Sequence, residues 1–143
     1  MRIYPPVHTI GREALADDSL VGQHIPKGST ILISPWLLHR HVKFWENPGR
    51  FDPERFSSKA SAARSRFSYL PFGGGKRICI GAAFALAEAT VLLATLAQRY
   101  SLRVLPGHRV VPQGLITLRA RHGMKMLLTP RRSDTAQPAP QRQ

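Results

Sequence analysis

Residues Phe72–Gly81, Phe-Gly-Gly-Gly-Lys-Arg-Ile-Cys-Ile-Gly, place the chain's only cysteine between three consecutive glycines and a long apolar segment that lacks both Gly and Pro. Few folds accommodate that order. Glycines reach backbone angles that other residues adopt only at a cost, so Gly73–Gly75 let the chain turn sharply and bring its backbone close to a flat ligand; Gly81 adds room two residues after the sulfur. From Ala82 the segment AAFALAEATVLLATLAQRY is rich in strong helix formers and predicts a helix of about five turns. Cys79 then sits just ahead of a helix N-terminus, where unsatisfied N–H groups and the positive end of the dipole favour a thiolate, as do Lys76 and Arg77. Such a thiolate is well placed to bind iron. By composition alone, however, a lone Cys beside apolar residues reads as an inert core thiol.

The rest of the chain predicts a mixed α and β segment. Pro5-Pro6 stops any opening helix, and Val7–Arg12 and Thr30–Ser34 read as strands joined by a turn-rich stretch. Pro35–His41 predicts a short helix. Residues 46–66, with Pro48, Gly49, Pro53 and many Ser and Ala, predict a long irregular segment. Beyond the cysteine helix, Ser101–Leu105, Gly114–Leu118 and Lys125–Thr129 predict three short strands of a closing sheet. Residues 131–143 are rich in Pro, Gln, Arg and Ala without apolar periodicity and read as a disordered tail. The apolar stretch Ala82–Ala97 is interrupted by Glu88 and reads as a buried helix, so no membrane segment is expected. A single cysteine excludes an internal disulfide and agrees with a reducing, cytoplasmic setting.

Formal net charge is +13, and after Glu54 the only acids are Glu88 and Asp134. A one-sided field of this kind attracts nucleic acid or anionic partners. The basic residues are nonetheless dispersed, with no dense Lys/Arg block, which places a nucleic-acid-binding protein third among the readings. Lys59, Arg64, Arg66, Lys76 and Arg77 instead crowd the approach to the cysteine loop. The six histidines show no metal-ligand spacing, and His39 and Trp45 are expected to pack the loop beneath the sheet.

Phe-x-x-Gly-x-Arg-x-Cys-x-Gly, filled by Phe72, Gly75, Arg77, Cys79 and Gly81, resembles the haem-binding signature of the cytochrome P450 family of haem-thiolate monooxygenases. Arg2-Ile-Tyr-Pro-Pro6 is similar to the end of the helix carrying that family's Glu-x-x-Arg motif, the Glu falling upstream of Met1. Phe51-Asp-Pro-Glu-Arg-Phe56 is similar to its Pro-Glu-Arg-Phe element, and between the two Arg12, Ile25–Gly28 and His39-Arg40 lie in the family's order. The resemblance covers residues 1–130, read as the C-terminal haem-binding part of one domain.

That resemblance implies an α+β fragment of a mostly α fold, with small β-sheets, a Cys-ligand loop and a following long helix. It implies haem b as cofactor, with Cys79 as the metal ligand and Arg77, Arg12, Phe72, Gly73 and Gly81 around the cofactor. Arg2 and Arg55 are implied as structural residues of a Glu-Arg-Arg cluster. It further implies an acidic electron-donor protein, a ferredoxin or flavoprotein reductase, on the basic face and a small organic substrate oxidised with O2. The distal helix with its catalytic side chains has no counterpart here, so a truncated chain, inactive by itself, is expected. A non-catalytic haem-binding or interaction fragment is the alternative.

Overall fold

The structure, a computed structural model, describes residues 1–131. They form two compact units, Met1–Cys79 with Pro112–Arg121, and Ile80–Val111 with the described residues from His122 onward.

In the first unit, strands β1 (Ile10–Glu13) and β4 (Thr30–Ile33) pair antiparallel, with Ile10 opposite Ile33. Between them lies a hairpin of β2 (Asp18–Leu20) and β3 (Gln23–Ile25). The sequence gives no warning of this hairpin, because its turn places Val21 at φ 52° beside Gly22 at φ 76°, and a β-branched residue there hides the usual signal. The strand expected from Val7 begins only at Ile10. Its earlier residues are diverted, since the His8 carbonyl accepts the Trp36 N–H (3.3 Å) and the Ser34 hydroxyl (3.2 Å). Ser34 also caps α1 (Pro35–Leu38), whose N1 proline suits a helix start. No helix forms over residues 1–4, contrary to expectation, because Pro5 and Pro6 offer no N–H to continue one.

The long segment 46–66 is more ordered than its composition suggests. Asp52 caps a 3-10 turn at Pro53–Phe56, and Ser57 caps α2 (Ser58–Ala62).

In the second unit α3 (Ala82–Arg99) runs for 18 residues, as the propensities require. It is followed by β5 (Tyr100–Val104). Two corrections arise after it. Gly114–Leu118 is not a strand but the turn between β6 (Pro112–Gly114) and β7 (Leu118–Ala120), a hairpin of the first unit. The expected three-stranded sheet is therefore a two-stranded pairing of β5 with β8 (Met126–Pro130). Arg131 is also placed, its N–H donating to the Arg99 carbonyl at 2.8 Å; the remainder of the expected tail, 132–143, lies outside the described residues.

The expectation of a buried α3 fails as well. None of its residues is buried, for its unit supplies only a β-ribbon and loops to cover it. By length and composition alone the helix is long and apolar enough to cross a membrane, a criterion that the core helix of a soluble protein meets equally.

The core lies in the first unit and is small. Among the described residues only Arg2, Pro5, Pro35, His39, Trp45 and Ser68 are buried, and three of these are polar. His39 and Trp45 do pack there, as expected. His39 Nε2 accepts the Leu70 N–H at 2.8 Å, so the neutral ring carries its proton on Nδ1, which faces the Arg2 carbonyl at 3.3 Å. Arg2 returns a bond to the His39 carbonyl (2.8 Å), and Trp45 Nε1 donates to the Ser68 carbonyl (3.3 Å). Burial, with the charges of Arg2, the N-terminus and Arg40, lowers the His39 pKa from 6.5 to about 4.

The sign of the linkage follows. A folded-state pKa below the unfolded one means the unfolded chain binds the extra proton first, so stability is fully present above about pH 6.5 and falls as pH drops toward 4. The loss from this one group is on the order of 2–3 kcal/mol. Chemical denaturation between pH 7 and pH 4 should show this decline in the native chain. In His39→Gln the component should vanish, at a cost in neutral-pH stability.

Candidate functional site

The cysteine loop grows from the core just described. Residues 68–70 are held through Trp45 and His39, and the chain leaves them at Pro71 into a tight loop. Gly73 N–H donates to the Leu70 carbonyl (3.3 Å), Gly75–Arg77 makes a single 3-10 turn, and Ile78 N–H returns to Gly75 (3.1 Å). The Cys79 N–H then donates to the Phe72 carbonyl at 2.9 Å, closing the loop on itself. Gly73 (φ 76°) and Gly75 (φ 69°) occupy the left-handed region that side chains avoid. A Cβ at Gly73 would lie 3.7 Å from Ile10 Cδ1 and 3.8 Å from the Arg77 carbonyl oxygen, so the loop rests against the start of β1.

Cys79 is exposed and in no disulfide, between the exposed apolar side chains Ile78 and Ile80. A free sulfur at the end of a closed backbone loop with uncovered apolar neighbours fits a planar, apolar, thiolate-ligated group such as haem. Of the other sequence-predicted residues, Phe72 is half-buried and closes the loop through its carbonyl, and Arg77 is exposed on the 3-10 turn. Arg12 is exposed on β1, its guanidinium donating to the Gly11 carbonyl at 2.7 Å. Gly81 has φ −84° and serves as the N-cap of α3, a conformation that does not require glycine.

Arg2 and Arg55 converge electrostatically without pairing. Arg2 spans the His39 and Arg50 carbonyls, and its pKa is lowered by burial and then by the charge of Arg55. Arg55 reaches the Asn47 carbonyl (3.3 Å), and its Nε, 3.8 Å from Asp52 Oδ2, is buried without a hydrogen bond.

Sequence reasoning put Arg64 on the solvated basic face; the structure moves it inward. Its guanidinium lies 4.7 Å from the Phe56 ring centroid, 5.1 Å from Trp45 and 5.6 Å from Tyr69, while it bonds the Arg55 carbonyl. Such stacking holds a cation without a carboxylate. Ser68, whose carbonyl anchors Trp45, was also missed, since a serine between Phe67 and Tyr69 carries no distinguishing signal.

The loop geometry separates the glycines by role. Gly75→Ala should cost about 1–2 kcal/mol, because it places a side chain at positive φ. Gly74 sits at φ −159°, and a Cβ there would press on the Leu70 Cδ2 tip at 3.3 Å and touch the Phe67 ring at 3.8 Å, so Gly74→Ala should stay within about 1 kcal/mol of the native chain. Denaturant midpoints of both variants check the ranking.

Comparison with known proteins agrees with this geometry. The family model described as Cytochrome P450 matches residues 1–123. The chain is 40% identical over 126 residues to putative cytochrome P450 132 of Mycobacterium tuberculosis, covering 88% of this chain and 27% of that protein. It is 38% identical over 131 residues to cyclooctatin synthase of Streptomyces melanosporofaciens, covering 92% and 28% respectively. The crystal structure of the cytochrome P450DA heme domain superposes with a TM-score of 0.84 at 30% identity, over 92% of this chain and 29% of that one. The chain thus spans little more than a quarter of the curated relatives it matches. With the signature loop folded around Cys79 and a family match across residues 1–123, the chain belongs to the cytochrome P450 family.

Proposed function

We propose that these residues form the thiolate-ligand part of a haem-thiolate monooxygenase that oxidises a small organic substrate with O2. The observation carrying this reading is the closed Phe72–Cys79 loop with its exposed, unpaired sulfur. Haem b, when bound, supplies oxygen activation, and thiolate ligation favours O–O cleavage. This chain's own residues hold that group. Cys79 Sγ is the iron ligand, while Gly73 and Gly81 let backbone approach it and Phe72 packs near the sulfur. Arg77 and Arg12 offer guanidinium forks to its propionates. Arg2 and Arg55 belong to the structural cluster beneath, and no residue here is assigned proton delivery to oxygen. Segments 7–10 and 114–117 border the substrate, and a reducing cytoplasm suits the lone thiol.

An acidic electron donor, a ferredoxin or a flavoprotein reductase, docks on the face carrying Lys59, Arg66, Lys76 and Arg77, all exposed. Arg64 is not part of that surface, being held by its three aromatic rings.

Two measurements test the reading. In haem-loaded protein the reduced carbon monoxide complex should show the strongly red-shifted Soret band of thiolate ligation, and Cys79→Ser should abolish it. Retention of that band in the variant would defeat the assignment.

For the partner, Arg66→Glu with Lys76→Glu should weaken binding of an acidic ferredoxin by about tenfold or more at low salt and flatten its salt dependence. Arg64→Ala should instead lower the unfolding midpoint, since it empties the aromatic cage. Equal loss of stability in both variants would remove the docking role.

A further inference from the structure

Residues 6–9 have no regular secondary structure, yet the Pro6 and His8 carbonyls, the His8 imidazole and the Thr9 hydroxyl are all hydrogen-bonded. Pro6 accepts the Leu118 N–H at 2.7 Å, and the His8 carbonyl takes Trp36 and Ser34 as described above. The His8 imidazole reaches the other way. Its Nε2 lies 2.9 Å from the Leu115 carbonyl oxygen and its Nδ1 3.0 Å from Thr9 Oγ1. A carbonyl can only accept, so Nε2 carries the proton, and in the neutral ring Nδ1 takes the Thr9 hydroxyl proton.

The fit on the receiving side is close. A Cβ at Gly114 would stand 3.1 Å from His8 Nε2 and 3.4 Å from Cδ2, so the ring lies against backbone that a side chain would push away. The turn it holds has little else to fix it. Inside residues 115–117 the Leu115 N–H to Thr117 carbonyl bond is 3.3 Å, while Leu115 and Ile116 are 57% and 94% exposed. Beside the ring a cleft of about 300 Å³ opens, bordered also by Thr9, Ser34, Trp36 and Leu118. Two residues beyond His8, Ile10 packs on Gly73 of the cysteine loop. One short segment therefore touches both the sulfur-bearing loop and the exposed apolar turn.

We infer that His8 is a positioning residue, a latch that fixes the β6–β7 turn and thereby sets the shape of the apolar edge, Leu115 and Ile116, that substrate meets. The substrate half of this statement rests on the monooxygenase reading; the latch half does not. Without the Nε2–H donor the hairpin keeps its ladder and the Leu118–Pro6 bond, but residues 115–117 lose their own tie to residues 6–10, and the site admits a wider range of ligand shapes.

The first test is hydrogen exchange by mass spectrometry on the dilute chain. Peptides spanning 113–118 should exchange about tenfold faster in His8→Ala. His8→Gln, whose amide nitrogen extends as far as Nε2, should stay within about twofold of the native chain, whereas His8→Asn, too short to reach Leu115, should resemble the alanine variant. Native-like exchange in all three variants, or faster exchange equally in all three, would overturn the latch.

The second test places residues 1–131 in a full-length relative in place of the matching quarter. A panel of rigid apolar compounds, read as Soret shifts, should be accepted more broadly in His8→Ala and unchanged in His8→Gln. Identical panels would overturn the role in substrate shape. Haem uptake without a thiolate spectrum would count against the haem-thiolate reading alone, because the exchange measurement involves no haem.

Discussion

The buried imidazole of His39 is the interaction on which the cysteine loop depends. Its two nitrogens and its carbonyl join the start of the chain to residue 70, two positions before the loop begins. The apolar core is too small to do this alone, since among the described residues Trp45 is the one buried hydrophobic residue apart from two prolines. Where apolar burial is scarce, buried donors and acceptors that find partners carry more of the structural specificity, and each one orphaned costs about 1–3 kcal/mol. Protonating His39 orphans the Leu70 N–H and adds a charge beside Arg2, which explains why burial and cations hold its pKa near 4.

The cations around this point are accommodated without carboxylates. Arg2 and Arg40 direct their guanidinium groups at backbone carbonyls and aromatic faces, Arg40 lying 3.5 Å from the Trp36 ring centroid and also bonding Ile3. Arg64 does the same in its three-ring cage. Among the described residues the one ion pair, Arg55 with Asp52, is long at 3.8 Å. Arginine suits this arrangement because its planar, weakly hydrated cation stacks and forks where an ammonium would demand water. The exception is Arg55, whose Nε has neither carbonyl nor ring, and it marks the point where the cluster is short of one acceptor.

Features written in local chemistry were legible. Glycines followed by Lys-Arg-x-Cys and a Gly-free apolar run specify a tight loop and a helix, and both stand where the residues place them. The short helix expected from Pro35 also starts there, although it ends at Leu38 rather than His41. What failed depended on distant partners. Nothing near Gly114 announces that His8, more than a hundred positions earlier, lies against it, so a β-rich run read as a strand is a turn. Arg64 looked like surface charge because its aromatic cage comes from three separate segments. The burial of α3 was inferred from its own composition, but burial belongs to what covers a helix, which composition does not encode.

A chain of contacts now connects positions that the sequence separates. Arg2 and His39 hold residue 70; residue 70 leads into the loop that ends in Cys79; Ile10 seats against that loop at Gly73; and His8, two residues earlier, clamps the turn at Leu115. Each link is a hydrogen bond or a close packing contact between short irregular segments rather than between long elements. Short segments fixed at both ends vary in side chain without losing their course, because backbone groups make most of the bonds. The sulfur can therefore be held in one place while residues 115–117, tied through a single imidazole, are free to differ in shape.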